Sequence, residues 1–442
     1  MRKILVASCC LFISSLYAQE HFSGINTTRR TGILNASVNP AELSNLSNRY
    51  EVNIFNTSVN VSNNKISFKD IVNGGNLEDK IFEGDKAVNM RLDAEILGPS
   101  FAMKHDKWAF AVTSSAKIKA NLIDVDVNLA NAVRNSFIGS SIIALDHNQR
   151  VNALTWGEIG FSASRIVFED HQHKFSGGAT FKLLFPGSYA NIAADKFSGT
   201  VTNVVGDVEL TNAHAALNVS YSGALADGFT DSSNFNQFFG NGIHGYAVDL
   251  GLNYQWKEQD DSGYKINAGL AVRNIGSMTF KADNNVSQNY SLSVEGLQSF
   301  DLNQFEGVDN IKEIEQILIN SGYVTIDNTT KDFKVKMPTL ISAYADVHVH
   351  NKWYVTAYMQ QKVVDDTKND LATAQNIVTI TPRFSAQDYE IYSPWSSNEI
   401  SGITGGIGFR LGGFYLGSGS IVTALLSNTK QADAYLGFRI GF

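Results

Sequence analysis

The chain has only two cysteines, Cys9 and Cys10, and both fall within its first ten residues. That stretch reads as a secretory signal. Arg2 and Lys3 make a basic start, residues 4–16 an apolar core, and Ser15-Leu16-Tyr17-Ala18-Gln19 a processing site after Ala18. The apolar residues ahead of Cys9 are too few for a lipoprotein signal, so both cysteines are expected to leave with residues 1–18. A mature chain without thiols excludes a structural disulfide, a thiolate nucleophile and a cysteine metal site. Proline is also scarce, at 6 residues, which suits long strands whose ladders cannot lose an N–H donor. No run of 18 apolar residues exists, and residues 4–16 fall short of the roughly 20 that a spanning helix needs. Positive charge is in deficit too. Removal of Arg2 and Lys3 leaves 33 basic against 43 acidic residues, which argues against nucleic acid as a partner.

What the sequence does have is glycine, aromatics and strict alternation. From position 246 the even residues read Tyr246, Val248, Leu250, Leu252, Tyr254, Trp256, and the odd residues read Gly245, Ala247, Asp249, Gly251, Asn253, Gln255. A half-buried soluble strand runs about 5–6 residues. A strand crossing a bilayer needs about 9–11, with aromatics where it meets the interface. The pattern recurs at Trp108, Phe110 and Val112, at Tyr264, Ile266, Ala268, Leu270 and Val272, and through residues 151–161 and 175–185. It closes the chain as Ala434, Leu436, Phe438, Ile440, Phe442. The opposite faces carry Asp249, Asn253, Gln255, Lys182, Arg410, Lys117 and Lys119, as a water-filled or plugged interior requires.

The expectation is an all-β protein, a transmembrane antiparallel β-barrel over residues 49–442. Tight turns are expected at His105-Asp106, at 170–173, 259–263, His350-Asn351 and Gly412-Gly413. Long polar connections fall at 62–90, 122–150, 223–244, 281–332, 365–374 and 426–433. Parity gives 14 strands, or 16 if residues 193–204 and 208–222 both span the membrane. Helical spacing of Phe305, Val308, Ile311, Ile314 and Leu318 predicts a helix over 305–319, and Leu129, Val133 and Phe137 predict another, both in extracellular loops. The first set is a candidate lid over the barrel mouth.

Asn39-Pro40-Ala41, within NASVNPAELSNL and after Arg29-Arg30, resembles the N-terminal NPA segment of the FadL family of fatty-acid transport barrels and of their PorV-like relatives in Bacteroidota secretion systems. The resemblance extends along the whole chain in its order of signal, NPA, long strands, tight turns and terminal Phe. It implies that residues 19–48 form a hatch folded into the lumen, with Asn39, Pro40 and Ala41 at its centre. Physically, Pro40 fixes φ and stops a strand, and Asn39 can cap a turn. Leu436, Phe438, Ile440 and Phe442 resemble the signal that outer-membrane proteins present to the β-barrel assembly machinery.

Other chemistry finds little support. Asp346, His348 and His350 share one strand face and permit a divalent metal site in principle, as does the pair His171/His173. Solvated turns explain both, and no metal ligand is assigned. Gly405-Gly406 and Gly412-Gly413 lie in strand and turn, not in a phosphate loop, and no nucleophile, base and orienting group converge. No enzyme activity and no cofactor are expected. The resemblance implies an outer-membrane location and a barrel passing a hydrophobic small molecule. The alternatives are a non-transporting barrel docking envelope proteins, and a secreted β-sandwich or adhesin. Outer-membrane lipid is the common partner of the first two.

Overall fold

The computed structural model describes residues 21–442 apart from 29, 31, 75, 134–138, 229–231 and 259–262. The signal segment, Arg29 and Phe137 therefore lie outside the described residues. The wall is a single antiparallel sheet. Its strands, numbered around the barrel, are β1 (Tyr50–Asn63), β2 (Val88–Leu97 continued by Ser100–His105), β3 (Trp108–Val125), β4 (Gln149–Glu169), β5 (His173–Val204) and β6 (Gly245–Lys257). There follow β7 (Tyr264–Thr279), β8 (Lys334–Lys336 and Leu340–His350), β9 (Trp353–Lys362) and β10 (Ile377–Ser385). The last are β11 (Tyr389–Tyr392 and Trp395–Asn398), β12 (Gly402–Gly405 and Ile407–Leu411), β13 (Phe414–Ser418) and β14 (Gln431–Gly441). β14 pairs antiparallel with β1 from Gly441–Glu51 to Gln431–Ser62. The sheet thus closes on itself with 14 strands, so no edge remains in the wall. That closure excludes a two-sheet sandwich.

The expected alternation is the organising feature. On β6, Tyr246, Leu250, Leu252 and Trp256 face outward, whereas Ala247, Asp249, Gly251 and Asn253 are buried inside. Outward apolar groups against an inward polar lining are the inverse of a soluble core and place hydrocarbon on the outside. Tyr50, Phe101, Trp108, Phe175, Trp353 and Phe384 lie near the strand ends that carry the short turns, the position of an interfacial aromatic girdle. Short turns and the start of β1 share that end, which is therefore periplasmic; the long loops face outside. Leu252 is 64 % exposed on the outer wall. Leu252→Arg there is expected to destabilise the barrel by about 2–4 kcal/mol near the midplane, read from unfolding in denaturant followed by gel mobility.

Two details depart from the sequence expectations. The 16-strand alternative does not hold, because residues 193–204 and 208–222 do not span the wall. The ladder of β5 with β6 ends at Leu184–Gly245, just before Pro186, which has no N–H to donate. Beyond it, β5 pairs with Asp207–Ser222 instead. Asp207–Ser222 pairs with Val286–Val294, which pairs with Val324–Thr330, while Gly139–Ala144 joins the other side of β5. The result is a five-stranded extracellular extension of the wall. The second departure concerns connections missed in the sequence, a periplasmic turn at 386–388 and a short extracellular turn at 399–401. β11 and β12 are each broken, at Ser393-Pro394 and at Gly406, so their alternation is interrupted and neither reads as one long strand.

Candidate functional site

Inside the barrel, residues 21–46 pack against inward-facing side chains around the wall. Their regular parts are the helix Ile33–Ala36 and the 3-10 helix Pro40–Asn45. Asn39 caps the second, its Oδ1 accepting the N–H of Ala41 at 3.0 Å, with Pro40 at the first helical position. The same amide donates through Nδ2 to the Leu252 carbonyl at 2.8 Å and to the Tyr344 hydroxyl at 3.2 Å. One side chain thus both caps the turn and ties it to β6 and β8. The turn sits this close because the wall beneath it is glycine. A Cβ on Gly178 would strike the Pro40–Ala41 backbone, and one on Gly251 the Asn39 amide. Next to the tripeptide, buried Glu42 accepts from Asn253 and Asn267 at 2.9 Å each and from the Tyr344 hydroxyl. Ser44 accepts from Lys174 Nζ at 3.0 Å through its carbonyl, Ser37 likewise from Arg273 at 3.0 Å, and Ser23 from the Tyr435 hydroxyl at 2.7 Å. Glu42 was not singled out in the sequence, although it directly follows Asn39-Pro40-Ala41.

Between this plug and the wall remains a polar cavity of about 130 Å³. Lys117 bridges Glu95 at 3.3 Å and Glu158 at 3.9 Å, Lys182 meets Asp249 at 2.7 Å, and His21 meets Asp93 at 3.0 Å. Lys117 and Lys182 are thus paired with carboxylates of neighbouring wall strands, and His21 adds a pair between plug and wall.

A second piece of chain closes the lumen from outside. The loop after β9 folds inward, so that Leu371, Ala372, Thr373, Ala374 and Gln375 are almost wholly buried. Its anchor is Arg150 of β4. Nη1 donates to the Asp366 carbonyl at 2.6 Å, Nη2 to the carbonyls of Asn369 and Leu371 at 3.4 and 3.3 Å, and Nε to Asn191 at 3.0 Å. Asp366 itself meets Lys362 at 3.0 Å and Arg91 at 3.4 Å.

Above the wall, the extension and its loops line an open apolar cavity of about 480 Å³. Of the predicted lid residues, Phe305, Val308, Ile314 and Leu318 line it; Ile311 is fully buried but does not reach it. The helix is Ile311–Asn320, with Phe305 in a separate 3-10 turn, Leu302–Phe305. The expected single helix over 305–319 is thus broken near Gly307, whose φ is +77°, a conformation that interrupts a helix. Leu129, on the helix Val127–Val133, lines the cavity as well. Missed in the sequence were the lining residues of the extension itself, among them Ile192, Phe197, Leu217 and Leu292.

Glu315 holds the helix in place. Its carboxylate accepts from the Tyr221 hydroxyl at 2.8 Å and the Tyr290 hydroxyl at 2.6 Å. Burial, with Glu315 beside them, pushes both phenols above their usual range, so they stay protonated donors at neutral pH. Glu315→Ala is expected to strand the Tyr221 hydroxyl, at about 1–3 kcal/mol for a buried unsatisfied group, whereas the Tyr290 hydroxyl keeps Gln288 Oε1 at 2.8 Å. The check is limited proteolysis, which should cut between residues 306 and 323 several-fold faster than in the wild type.

The remaining candidates lie apart. Asp346 is turned into the barrel against Arg383, whereas His348 contacts Glu258 and the Asn351 carbonyl, and His350 is exposed. His173 meets the Tyr254 hydroxyl at 2.8 Å. Among the described residues no three His, Cys, Asp or Glu groups converge as metal ligands. Leu436, Phe438, Ile440 and Phe442 all face outward, at the seam with β1.

A closed barrel with an apolar outer band and a plugged polar lumen defines an outer-membrane β-barrel of 14 strands. Within that class the chain belongs to DUF5723, a family of unknown function whose model matches residues 40–419. No curated protein matches the sequence. Among solved structures, a deletion mutant of the monoaromatic hydrocarbon channel TodX is 11 % identical, with 93 % of this chain and 95 % of that one covered and a TM-score of 0.45. The Ralstonia pickettii toluene transporter TbuX is 12 % identical, with 93 % and 94 % covered and a TM-score of 0.41. A Pseudomonas aeruginosa FadL homologue is 8 % identical, with 96 % and 98 % covered and a TM-score of 0.41. The strand count and order given above rest on the ladders of this chain alone.

Proposed function

We propose that this protein moves a small hydrophobic molecule through the outer membrane, capturing it in the extracellular apolar cavity and passing it inward when the plug around Asn39-Pro40-Ala41 shifts. The observation that carries this reading is the cavity. Nineteen of its lining residues are apolar, drawn from the wall, the extension and the loop helices, and a concave apolar site of several hundred Å³ fits a small ligand. Surface of that kind left facing water without an occupant is costly, so its retention at the mouth of a barrel points to capture. The adjoining polar lumen, shut at both ends, supplies the compartment that the ligand's arrival has to open.

The test is to fill the cavity. Ala194 lines it from β5, and Ala194→Trp should occupy much of its space. Binding of N-phenyl-1-naphthylamine, an uncharged fluorescent probe, to the purified barrel is expected to weaken about tenfold or more, while gel mobility still shows a folded barrel. Unchanged probe binding in a folded variant would remove the cavity from the mechanism.

The docking reading draws on a different observation. Val324–Thr330 forms the outer strand of the extension, and all but the first of its residues are exposed. An open strand edge of this kind can accept another chain. Stable co-purification with other envelope proteins would favour that role, and bound apolar ligand in a lone barrel would favour transport.

A further inference from the structure

The periplasmic mouth of the barrel holds two ammonium groups that no carboxylate answers. A cavity of about 410 Å³ lies there between Glu42 and Asn45 of the plug and the inward faces of β2, β4, β5, β6 and β7. Three lysines and three glutamates line it, but they do not pair off. Glu42 accepts from Asn253 and Asn267, Glu169 from Lys257 at 2.7 Å, and Glu258 meets His348. Every carboxylate is thus committed, and of the three lysines only Lys257 gains from it.

Lys174, 7 % exposed, donates to the neutral Ser44 carbonyl at 3.0 Å and, among the described residues, ion-pairs with no carboxylate. Lys104 is half-buried and its side chain donates no hydrogen bond among those residues; its ammonium meets solvent in the mouth. The two ammonium groups are close enough to repel each other. Buried charges are as a rule paired. A nearly buried ammonium resting on one carbonyl, beside a second that faces solvent, therefore calls for a counter-charge.

We infer that this mouth is a binding site for a small oxyanion of the phosphate type, held between Lys104 and Lys174. Lysine takes such groups as a compact point charge with three donors, so Lys174 can keep one N–H on Ser44 and turn another to the anion. The lining side chains point into the barrel, away from its lipid face, which selects a free anion over a lipid headgroup. Occupancy also bears on the plug. The anion cancels the repulsion that drives Lys174 from Lys104 and so steadies its ammonium on the Ser44 carbonyl, fastening the plug to β5.

The experiment uses the whole mature protein in detergent near neutral pH. Inorganic phosphate is titrated by calorimetry, with chloride at matched ionic strength as the reference. A saturable site is expected in the wild type, weakened about tenfold or more in Lys104→Gln and in Lys174→Gln. If Lys174→Gln lacks the gel mobility of a folded barrel, Lys104→Gln decides alone, because its side chain has no partner to lose. With Ala41→Cys as reporter, at a buried plug position, saturating phosphate should slow maleimide labelling several-fold. Adding Lys104→Gln should abolish that slowing.

Lack of a saturable site, a site filled equally well by chloride, or an affinity unchanged in Lys104→Gln would overturn the inference. So would labelling that bound phosphate leaves unchanged or speeds, since the anion would then not fasten the plug. None of these results touches the apolar cavity, which the Ala194→Trp variant tests separately.

Discussion

Leucine in place of Gly251 is expected to evict the plug turn while leaving the barrel wall intact. Gly251 faces inward from β6, and any Cβ there runs into the Asn39 amide and the Pro40 ring. The wall cannot yield easily, since β6 is laddered to β5 and β7 along most of its length. The turn is held by side-chain hydrogen bonds alone, from Asn39 to Leu252 and Tyr344 and from Asn253, Asn267 and Tyr344 to Glu42, with no ladder to the wall. Overpacking of this kind costs about 1–3 kcal/mol, similar to what those contacts supply. The softer partner moves.

The natural cysteines are confined to positions 9 and 10, so in a chain starting at residue 19 a single introduced cysteine can report the outcome. Ala41 is fully buried in the plug. Ala41→Cys alone should resist maleimide, and Ala41→Cys with Gly251→Leu should label at least about tenfold faster, an opening free energy lowered by roughly 1.4 kcal/mol. Gly177→Ala is the control, because a Cβ there meets only Leu252, at an ordinary 3.9 Å. Equal labelling of the control and leucine variants would mean that glycine is not what admits the turn.

Loss of Asp346 is expected to be the most damaging single change in the lumen. Its carboxylate is fully buried and accepts from Arg383 at 2.6 Å, from Thr356 at 2.7 Å and from the Tyr264 hydroxyl. Glu390, which ties Arg410 at 2.9 Å, lies beyond. Asp346→Ala leaves the Arg383 guanidinium, 1 % exposed as a side chain, without its hydrogen-bonded carboxylate, with only the more distant charge of Glu390 to balance it. Breaking one side of a buried pair costs about 3–5 kcal/mol, whereas replacing both partners with apolar groups is often close to neutral. Denaturant unfolding followed by gel mobility should therefore show Asp346→Ala far less stable than the double variant Asp346→Leu/Arg383→Met. If the two are equally unstable, shape rather than charge governs the site.

The wall was legible in the sequence because each strand lies between two uniform media. Hydrocarbon on one side and polar lumen on the other write a period of two over ten or more residues, and no tertiary detail is needed to read it in Tyr246 to Trp256. The count of strands was harder. The segment 193–222 alternates like the wall because one of its faces is also covered, but what covers it is the apolar cavity rather than lipid. Periodicity reports burial without naming the solvent. β11 and β12 failed for the opposite reason, since breaks at Pro394 and Gly406 reset the alternation.

The site was legible only where its residues are neighbours in sequence. The helical spacing around Ile314 and Leu318 marked the roof of the cavity, and Asn39-Pro40-Ala41 marked the plug turn. Arg150 gave no local signal. Its role comes from partners that distance along the chain conceals, such as Asp366, 216 residues away.

The lumen is filled from two sides, by a segment rising from the periplasmic side and by a separate loop folded down from outside, and one pair of side chains joins them: Arg273 donates to the Ser37 carbonyl of the first and to Gln360, and Gln360 donates to the Gln375 carbonyl of the second. On the proposed transport reading, a shift of the lower segment is therefore felt at the upper one, as a latch joining the two doors of an airlock makes each answer to the other.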